Sequence, residues 1–372
     1  MEASEGALAG VRVLDVSRVL GGPYAGQVLG DHGADVLKIE GPDGDDTRSW
    51  GPPYLGQTSA YFSGANRNKR SRMLNLGTES GRATLMEQVA QADVLIENFK
   101  LSTLSKWGWN LNSFVEVNPR LIHCRVSGFG SDGPYGGLPA YDTAVQALCG
   151  LMSVNGGADA TRVGLPVVDM TTGLNAVIAV LLALQARHRT GRGQMVETTL
   201  YANAVSLLHP HASNYYATGK NPERTGNAHP NIYPYDSFQT ANGTIYLAVG
   251  NDTQFVALCE RLGIGTVALD PRFSANPSRS VNRQALREIL EQALSPADGR
   301  ELAQDLVKLG VPCAPICSVA EVLGHPHTSH MGLEVTLPGG YRGVASPIRL
   351  SDTPASYRLA PPELRAGSAH GL

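Results

Sequence analysis

The sequence predicts an α/β protein: a large domain around a doubly wound parallel sheet, followed by a smaller α+β domain. Three observations lead there. Through residues 11–216, short apolar segments of strand length alternate with helical patterns, the order that builds a parallel sheet. The alternation stops at Gly219, Pro222, Gly226, Pro230 and Pro234, the composition of a linker or hinge. The 372 residues exceed one core, at ~100–200 residues per domain. The expected division is 1–220 for the first part of the large domain, 221–329 for the linker and small domain, and 330–372 for a return to the large domain.

VRVLDV at 11–16 reads as a strand. The loop SRVLGG at 17–22 leads to Pro23, well placed as a first helical residue, and a helix runs to about His32. ADVLKIE at 34–40 is the next strand. Such a strand–loop–helix–strand unit sets ligands at the strand C-termini. Residues 41–58 are loop, 79–92 a helix, and DVLIEN at 93–98 a strand with Phe99 and Lys100 just past its end. Two short helices fill 101–117, with Lys106 in the first. LIHCRV at 121–126 is a strand that ends in a long Gly-rich loop. Residues 141–152 read as helix. The apolar run 163–168 reads as a strand handing over to an apolar helix that reaches about Arg189, with Asp169 at the junction. A turn at Thr190-Gly191-Arg192-Gly193, a strand at 194–199 and a helix to about Tyr216 complete this half. The small domain holds a strand at 244–249 and helices at 253–262, 282–294 and 299–309, and short strands with a Pro-rich tail follow His330.

Composition narrows the function. The net charge of −3 supplies no basic field, so no nucleic-acid partner is expected, and small molecules are. The opening MEASEGALAG has neither a basic n-region nor a long apolar run, so a signal or transit peptide is not expected and the location is cytoplasmic. The longest apolar run, 174–184 broken by Asn175, falls short of the ~20 residues of a membrane span, so no membrane partner is expected. Cys124, Cys149, Cys259, Cys313 and Cys317 are odd in number and mostly inside apolar segments, as in a reduced protein. Cys313 and Cys317 do not have zinc spacing, and the pairs His209/His211 and His325/His327, which look like metal pairs, contain Pro and stand alone, so no metal is expected.

The first loop, at 17–22, lacks the G-x-G-x-x-G dinucleotide fingerprint, and the P-loop, the G-x-S-x-G elbow and H-E-x-x-H are missing. NRNKRSR at 66–72 reads either as a solvated basic turn or as a phosphate patch. Asp142 reads as a helix-start carboxylate. Asp169 fits a helix cap on position alone. It also fits a nucleophile, because a carboxylate can attack an activated acyl group without metal or histidine. Unpaired N–H groups at the helix start would hold it ionised. The chemistry also needs an oxyanion site of backbone N–H groups, which the loop at Gly226-Asn227-Ala228 offers.

Nearly the whole chain resembles the class III coenzyme A transferases, the family of formyl-CoA transferase and carnitine CoA-transferase. The likeness is carried by GVRVLD at 10–15, GADVLKIE at 33–40, DDTRxWGPP at 45–53, NRNKRS at 66–71, IENF at 96–99 and NPRLI at 118–122. It continues in GxGxxGP at 128–134, Tyr141-Asp142, DxxTG at 169–173 and TGRGQ at 190–194. The resemblance implies Asp169 as nucleophile, acylated by an acyl-CoA donor and then converted to an aspartyl-CoA thioester. It implies coenzyme A contacts at Val19, Leu74, Asn75, Asn98, Phe99, Lys106 and Tyr141, with the CoA thioester a substrate and no permanently bound cofactor. It also implies a homodimer of two interlocked chains, each with a Rossmann-like large domain built from both chain ends.

Four departures carry information. Leu20 stands where formyl-CoA transferases have Gln, and Gly226-Asn227-Ala228-His229 is shorter than their glycine-rich lid; both argue against oxalate as acceptor. Gly41 stands where they have Arg, so one phosphate or adenine contact is missing or comes from elsewhere. Tyr141 stands where the related racemases have a histidine base, which argues for transfer over racemisation. The nearest likeness is to enzymes moving CoA from succinyl-CoA to dicarboxylates such as glutarate. A dicarboxylate needs a cation at its far end, for which Arg48, Arg67 and His229 are candidates. The competing readings are an α-methylacyl-CoA racemase or isomerase, a formyl-CoA:oxalate enzyme, and a CoA-binding protein without catalysis.

Overall fold

The computed structural model describes residues 6–364. They form two compact units. The first takes the described residues up to Leu151, then Val163–Leu208, then those from Pro326 on; the second takes Met152–Arg162 and His209–His325. The second unit thus begins before the expected residue 221 and includes a segment, Met152–Arg162, that the sequence reading left in the large domain.

The first unit opens with strand β1 (Arg12–Asp15), helix α1 (Gly21–Asp31) and strand β2 (Asp35–Glu40). A 3-10 turn at Asp46–Ser49, the small hairpin β3 (Tyr54–Leu55) and β4 (Thr58–Ser59), and helix α2 (Ala60–Ser63) come next. Then follow β5 (Lys69–Met73), α3 (Glu79–Val89), β6 (Val94–Glu97), α4 (Leu101–Lys106), α5 (Ser113–Val117) and β7 (Ile122–Ser127). Helix α6 (Asp142–Leu148) precedes α7 (Leu151–Val154), which crosses into the second unit, and the first unit resumes with α8 (Val167–Thr190), β8 (Gln194–Thr199) and α9 (Leu200–Ser206).

The sheet runs β5-β2-β1-β6-β7-β8, and every pairing is parallel. Successive strand side chains face opposite sides. Val13, Val36, Val94, Ile96 and Ile122 therefore join one core cluster with α1, α6 and α8. Their neighbours Leu14, Leu37 and Leu95 join a second cluster with α3, α4 and α5. The sheet is covered on both faces, as its largely apolar inner strands β1, β2, β6 and β7 require. Chain order reverses between β1 and β6, and a crevice opens outside the strand C-termini at such a point.

Three expected elements differ. The helix expected to run to about Tyr216 breaks at residues 207–210 into α9 and a separate helix at His211–Thr218. Residues 163–166 form no strand; the Val163 N–H goes to Gln146 Oε1 at 2.9 Å rather than to a ladder, and Pro166 leads directly into α8. The helix expected over 141–152 breaks after Leu148, where Gly150 takes φ +91°. Helix α8 spans 24 residues and is apolar enough to cross a membrane by composition. Length therefore does not decide its role; packing does. Val168, Ala176, Val177, Val180, Ala183 and Leu184 are buried in the core, so it is a core helix.

The second unit contains α10 (His211–Thr218), β9 (Tyr235–Thr240), β10 (Gly243–Ala248), α11 (Asp252–Arg261), α12 (Gly265–Leu269), α13 (Asn276–Val281), α14 (Arg283–Leu294), α15 (Gly299–Lys308), β11 (Cys313–Pro315) and α16 (Val319–Leu323). Its antiparallel sheet, β11-β10-β9, packs with α11, α14 and α15 around Phe238, Leu247, Leu258, Leu290 and Leu306. The chain then returns to the first unit through α17 (Pro326–His330), β12 (Glu334–Leu337) and β13 (Tyr341–Val344).

The stretch at 66–72 is neither of the things its charge suggested. Arg67, Asn68 and Lys69 are buried. Asn68 N–H donates to Leu359 O at 2.8 Å, and its Oδ1 accepts from Arg358 N–H at 2.7 Å. Arg67 Nη1 donates to Val344 O at 2.6 Å. The stretch fastens the returning tail to the edge of the sheet.

Candidate active site

A cleft of about 900 Å³ opens at the C-terminal ends of the parallel strands. The loops after β1, β2, β5, β6 and β7 line it, together with Tyr141, Asp169 and Leu200. The strand order reverses at this same place. Two close approaches shape its floor. Gly173 lies under Gly21, where an added Cβ would come within 2.6 Å of Gly21 O. A Cβ on Gly22 would come within 2.3 Å of Ser17 Oγ. Glycine at these positions lets the start of α1 cross the start of α8. A Cβ at Gly21 would stand only 3.9 Å from Asp169 Oδ1.

Asp169 occupies the first turn of α8 and is 9% exposed. Pro166, the residue at the N-cap, provides no side-chain acceptor. Asp142 supplies it from α6: its Oδ2 accepts from Val168 N–H at 2.8 Å and from Asp169 N–H at 3.0 Å. Gln146, one turn on, donates to Asp142 Oδ1 at 2.6 Å. Burial first, and the neighbouring Asp142 carboxylate second, push the Asp169 carboxyl up to about 7. The helix start therefore does not hold Asp169 strongly ionised, contrary to the expectation from sequence, because Asp142 has taken the nearest donors. Tyr61 on α2 is pushed up to about 12 by burial and by the carboxylates of Asp169, Asp142 and Asp45. Trp50 joins this wall, its ring 5.3 Å from Tyr61 and 6.5 Å from Tyr141.

The structure brings six of the expected coenzyme A residues to the cleft: Val19, Leu74, Asn75, Asn98, Phe99 and Tyr141. Asn98 clamps the loop after β1, accepting from Arg18 N–H at 3.1 Å and donating to Arg18 O at 2.9 Å. Val19 in that loop has φ +73°, a strained value for a β-branched residue. Glu97 Oε2 accepts the Phe99 N–H at 2.7 Å, and Phe99 packs edge-on to Trp107 at 5.3 Å. Lys106 does not line the cleft; it is exposed at the end of α4, whose Thr103 does.

The expected cations for a distal carboxylate are otherwise engaged. Arg48 Nε and Nη2 donate to Glu40 at 2.7 Å each, and the guanidinium lies 3.8 Å over the Phe62 ring. Arg67 donates to both Asp31 oxygens, with Nη2 at 2.6 Å. Both are structural ion pairs off the cleft. Gly226, Asn227 and His229 belong to the second unit. The Gly226 N–H donates to Gly156 O and the Ala228 N–H to Thr225 O, both at 3.0 Å, so two of the expected oxyanion donors are spent within the second unit. His229 Nδ1 accepts from Asn231 N–H at 3.1 Å, and burial lowers its imidazole. Within the first unit, the Gly21 and Gly22 N–H groups at the uncapped start of α1 meet no acceptor among the described residues, and Gly21 lies beside Asp169.

Sequence reasoning missed the buried ion pairs of β1 and β2. Lys69 Nζ donates to Asp15 Oδ2 at 2.8 Å, and Lys38 Nζ stands 3.1 Å from Asp45 Oδ2 while donating to Ser17 O at 2.9 Å. Burial brings the Lys69 ammonium down to about 8. Burial works to raise Asp15, but Lys69 and Lys38 hold it below the usual range. The only sequence signal was charged residues at the ends of apolar strands. Among the described residues, no three His, Cys, Asp or Glu side chains converge as a metal site.

The pattern that defines CoA-transferase family III covers residues 8–368. The chain belongs to that family. The transferase is 40% identical to the succinate–glutarate CoA-transferase of Agrobacterium fabrum over 98% of this chain and 94% of that protein. It is 39% identical to the acetyl-CoA:oxalate CoA-transferase of Acetobacter aceti over 98% and 95%. Its structure matches that of a CaiB/BaiF family protein from Brucella suis with a TM-score of 0.86 and 42% identity, covering 97% of each chain. Identity does not separate the glutarate relative from the oxalate one, so the departures at Leu20 and residues 226–229 do not by themselves decide against oxalate.

Proposed function

We propose that the transferase moves CoA from succinyl-CoA to a dicarboxylate such as glutarate through covalent intermediates on Asp169. The position of that carboxylate carries the reading: buried, on the wall of the cleft, beside the N-terminus of α1. An Asp169 oxygen attacks the thioester carbon, the C–S bond breaks, and CoA thiolate leaves a mixed anhydride. The thiolate attacks the aspartyl carbon and releases succinate, giving the aspartyl-CoA thioester. The acceptor carboxylate displaces the thiolate to form a second anhydride. Thiolate attack on the acceptor's acyl carbon then yields the new acyl-CoA and restores Asp169. The Gly21 and Gly22 N–H groups are suited to the oxyanion of each tetrahedral step.

Glutarate rests on the relatives, several of which are named as succinyl-CoA or succinate–glutarate transferases. Oxalate is the second reading, favoured by the Acetobacter enzyme. Racemisation is disfavoured by Tyr141 at the position of the histidine base. Acceptor acids offered one at a time with succinyl-CoA, with acyl-CoA products weighed, test the choice: glutaryl-CoA is expected to form fastest, and faster oxalyl-CoA formation contradicts it. The functional form is proposed as a homodimer, since α8 leaves Ile178 and Leu182 53% and 67% exposed on one face.

A further inference from the structure

Asp142 takes no part in the transfer steps above, yet it is bound to the nucleophile's backbone. Its Oδ2 holds the Val168 and Asp169 N–H groups at 2.8 and 3.0 Å. Gln146 braces its Oδ1 at 2.6 Å and also accepts the Val163 N–H at 2.9 Å. The segment from Val163 to Asp169 is thus tied at both ends to α6. A carboxylate in a helix's first turn ordinarily draws on the free N–H groups there to hold its charge. At Asp169 two of these are already taken.

We propose that Asp142 is a positioning residue for the nucleophile: it fixes the first turn of α8 and, by taking those donors and setting a second carboxylate beside Asp169, keeps that carboxylate basic and reactive toward a thioester. The inference rests on Asp169 being the acylated residue. A more basic carboxylate is the stronger nucleophile. The upward push on Asp169, from burial and then from Asp142, has the matching direction.

No other charged group packed on α8 plays this part. On α1, Asp31 sits at the far end and is paired with Arg67. On β7, His123 and Arg125 are held by Glu97, and Glu197 of β8 stands 3.2 Å from Arg125. Helix α9 carries no charged side chain. From α2 the facing group is the Tyr61 phenol, which also feels Asp45.

The test is the rate at which succinyl-CoA acylates Asp169, read by peptide mass between about pH 5 and 9, in the unaltered enzyme, Asp142→Asn and Asp142→Glu. Asp142→Asn keeps an oxygen acceptor but loses the charge. Its midpoint is expected to fall by about one pH unit or more, and its limiting rate by about tenfold. Asp142→Glu is expected to keep the original midpoint. If Asp142→Asn does not fold, Asp142→Ser replaces it with the same expected shift. An unshifted midpoint in a folded, uncharged variant overturns the proposal. An unaltered enzyme that gains no mass at Asp169 overturns the nucleophile reading itself, so the two failures are distinct.

Discussion

At the scale of single residues, Asp169 is a carboxylate kept short of donors. Asp169→Asn is expected to lower transfer by ~10³-fold or more, as losing a nucleophile does, while CoA binding by titration stays near its original strength. Ionisation sets the pH dependence. The carboxyl is pushed up to about 7, so the reactive anion is scarce below that pH and abundant above it. Acylation is expected to rise between about pH 6 and 8 and then level off. Stability runs the other way. The folded-state value exceeds the ordinary 3.8, so the folded protein binds the extra proton, and this contribution is complete below pH 3.8 and lost as pH climbs through about 7. Asp169→Asn is therefore expected to raise Tm at pH 8 relative to the unaltered enzyme, with little difference at pH 4, in paired melts. An equal Tm at pH 8 would mean that the carboxylate is not held in an unfavourable setting.

At the scale of elements, the site depends on how closely α1 and α8 cross. Gly173→Ala puts a methyl group 2.6 Å from Gly21 O. Overpacking of this kind costs ~1–3 kcal/mol, and the displaced α1 should slow acylation more than it weakens CoA binding. Denaturant melts and single-turnover rates check both parts. The loop after β2 depends on the Glu40–Arg48 pair, where Glu40 is also bonded to Ser71 Oγ at 2.6 Å. Arg48→Ala leaves a buried carboxylate unpaired and is expected to cost ~3–5 kcal/mol. It should reduce turnover of glutarate and of a monocarboxylate by the same factor. A loss confined to glutarate would restore Arg48 as the distal-carboxylate contact.

At the scale of the whole molecule, legibility tracked how local each signal was. The inner strands β1, β2, β6 and β7 were readable as short, largely apolar runs, whereas the edge strand β5, KRSRM, was missed because its charges read as a basic turn or a phosphate patch. The nucleophile reading of Asp169 came only from the ordered motifs, since its position alone fits a cap. The strand expected before it failed because an apolar run with Gly164 and Pro166 looks like a buried strand until its N–H groups are traced. The roles of Asp142, Arg48, Arg67 and Lys69 were illegible for one reason. Their partners lie elsewhere in the chain, Asp142 reaching Asp169 across 27 residues and Lys69 reaching Asp15 across 54. A charge in sequence does not announce whether it meets water, a ligand or an opposite charge in the core. Covalent trapping bears on the central claim most directly: mix the enzyme with succinyl-CoA, quench, digest, and weigh the peptide containing Asp169. The expected result is a succinyl or CoA adduct on that peptide that disappears when glutarate is added; glutaryl-CoA accumulating while the peptide never gains mass would contradict it.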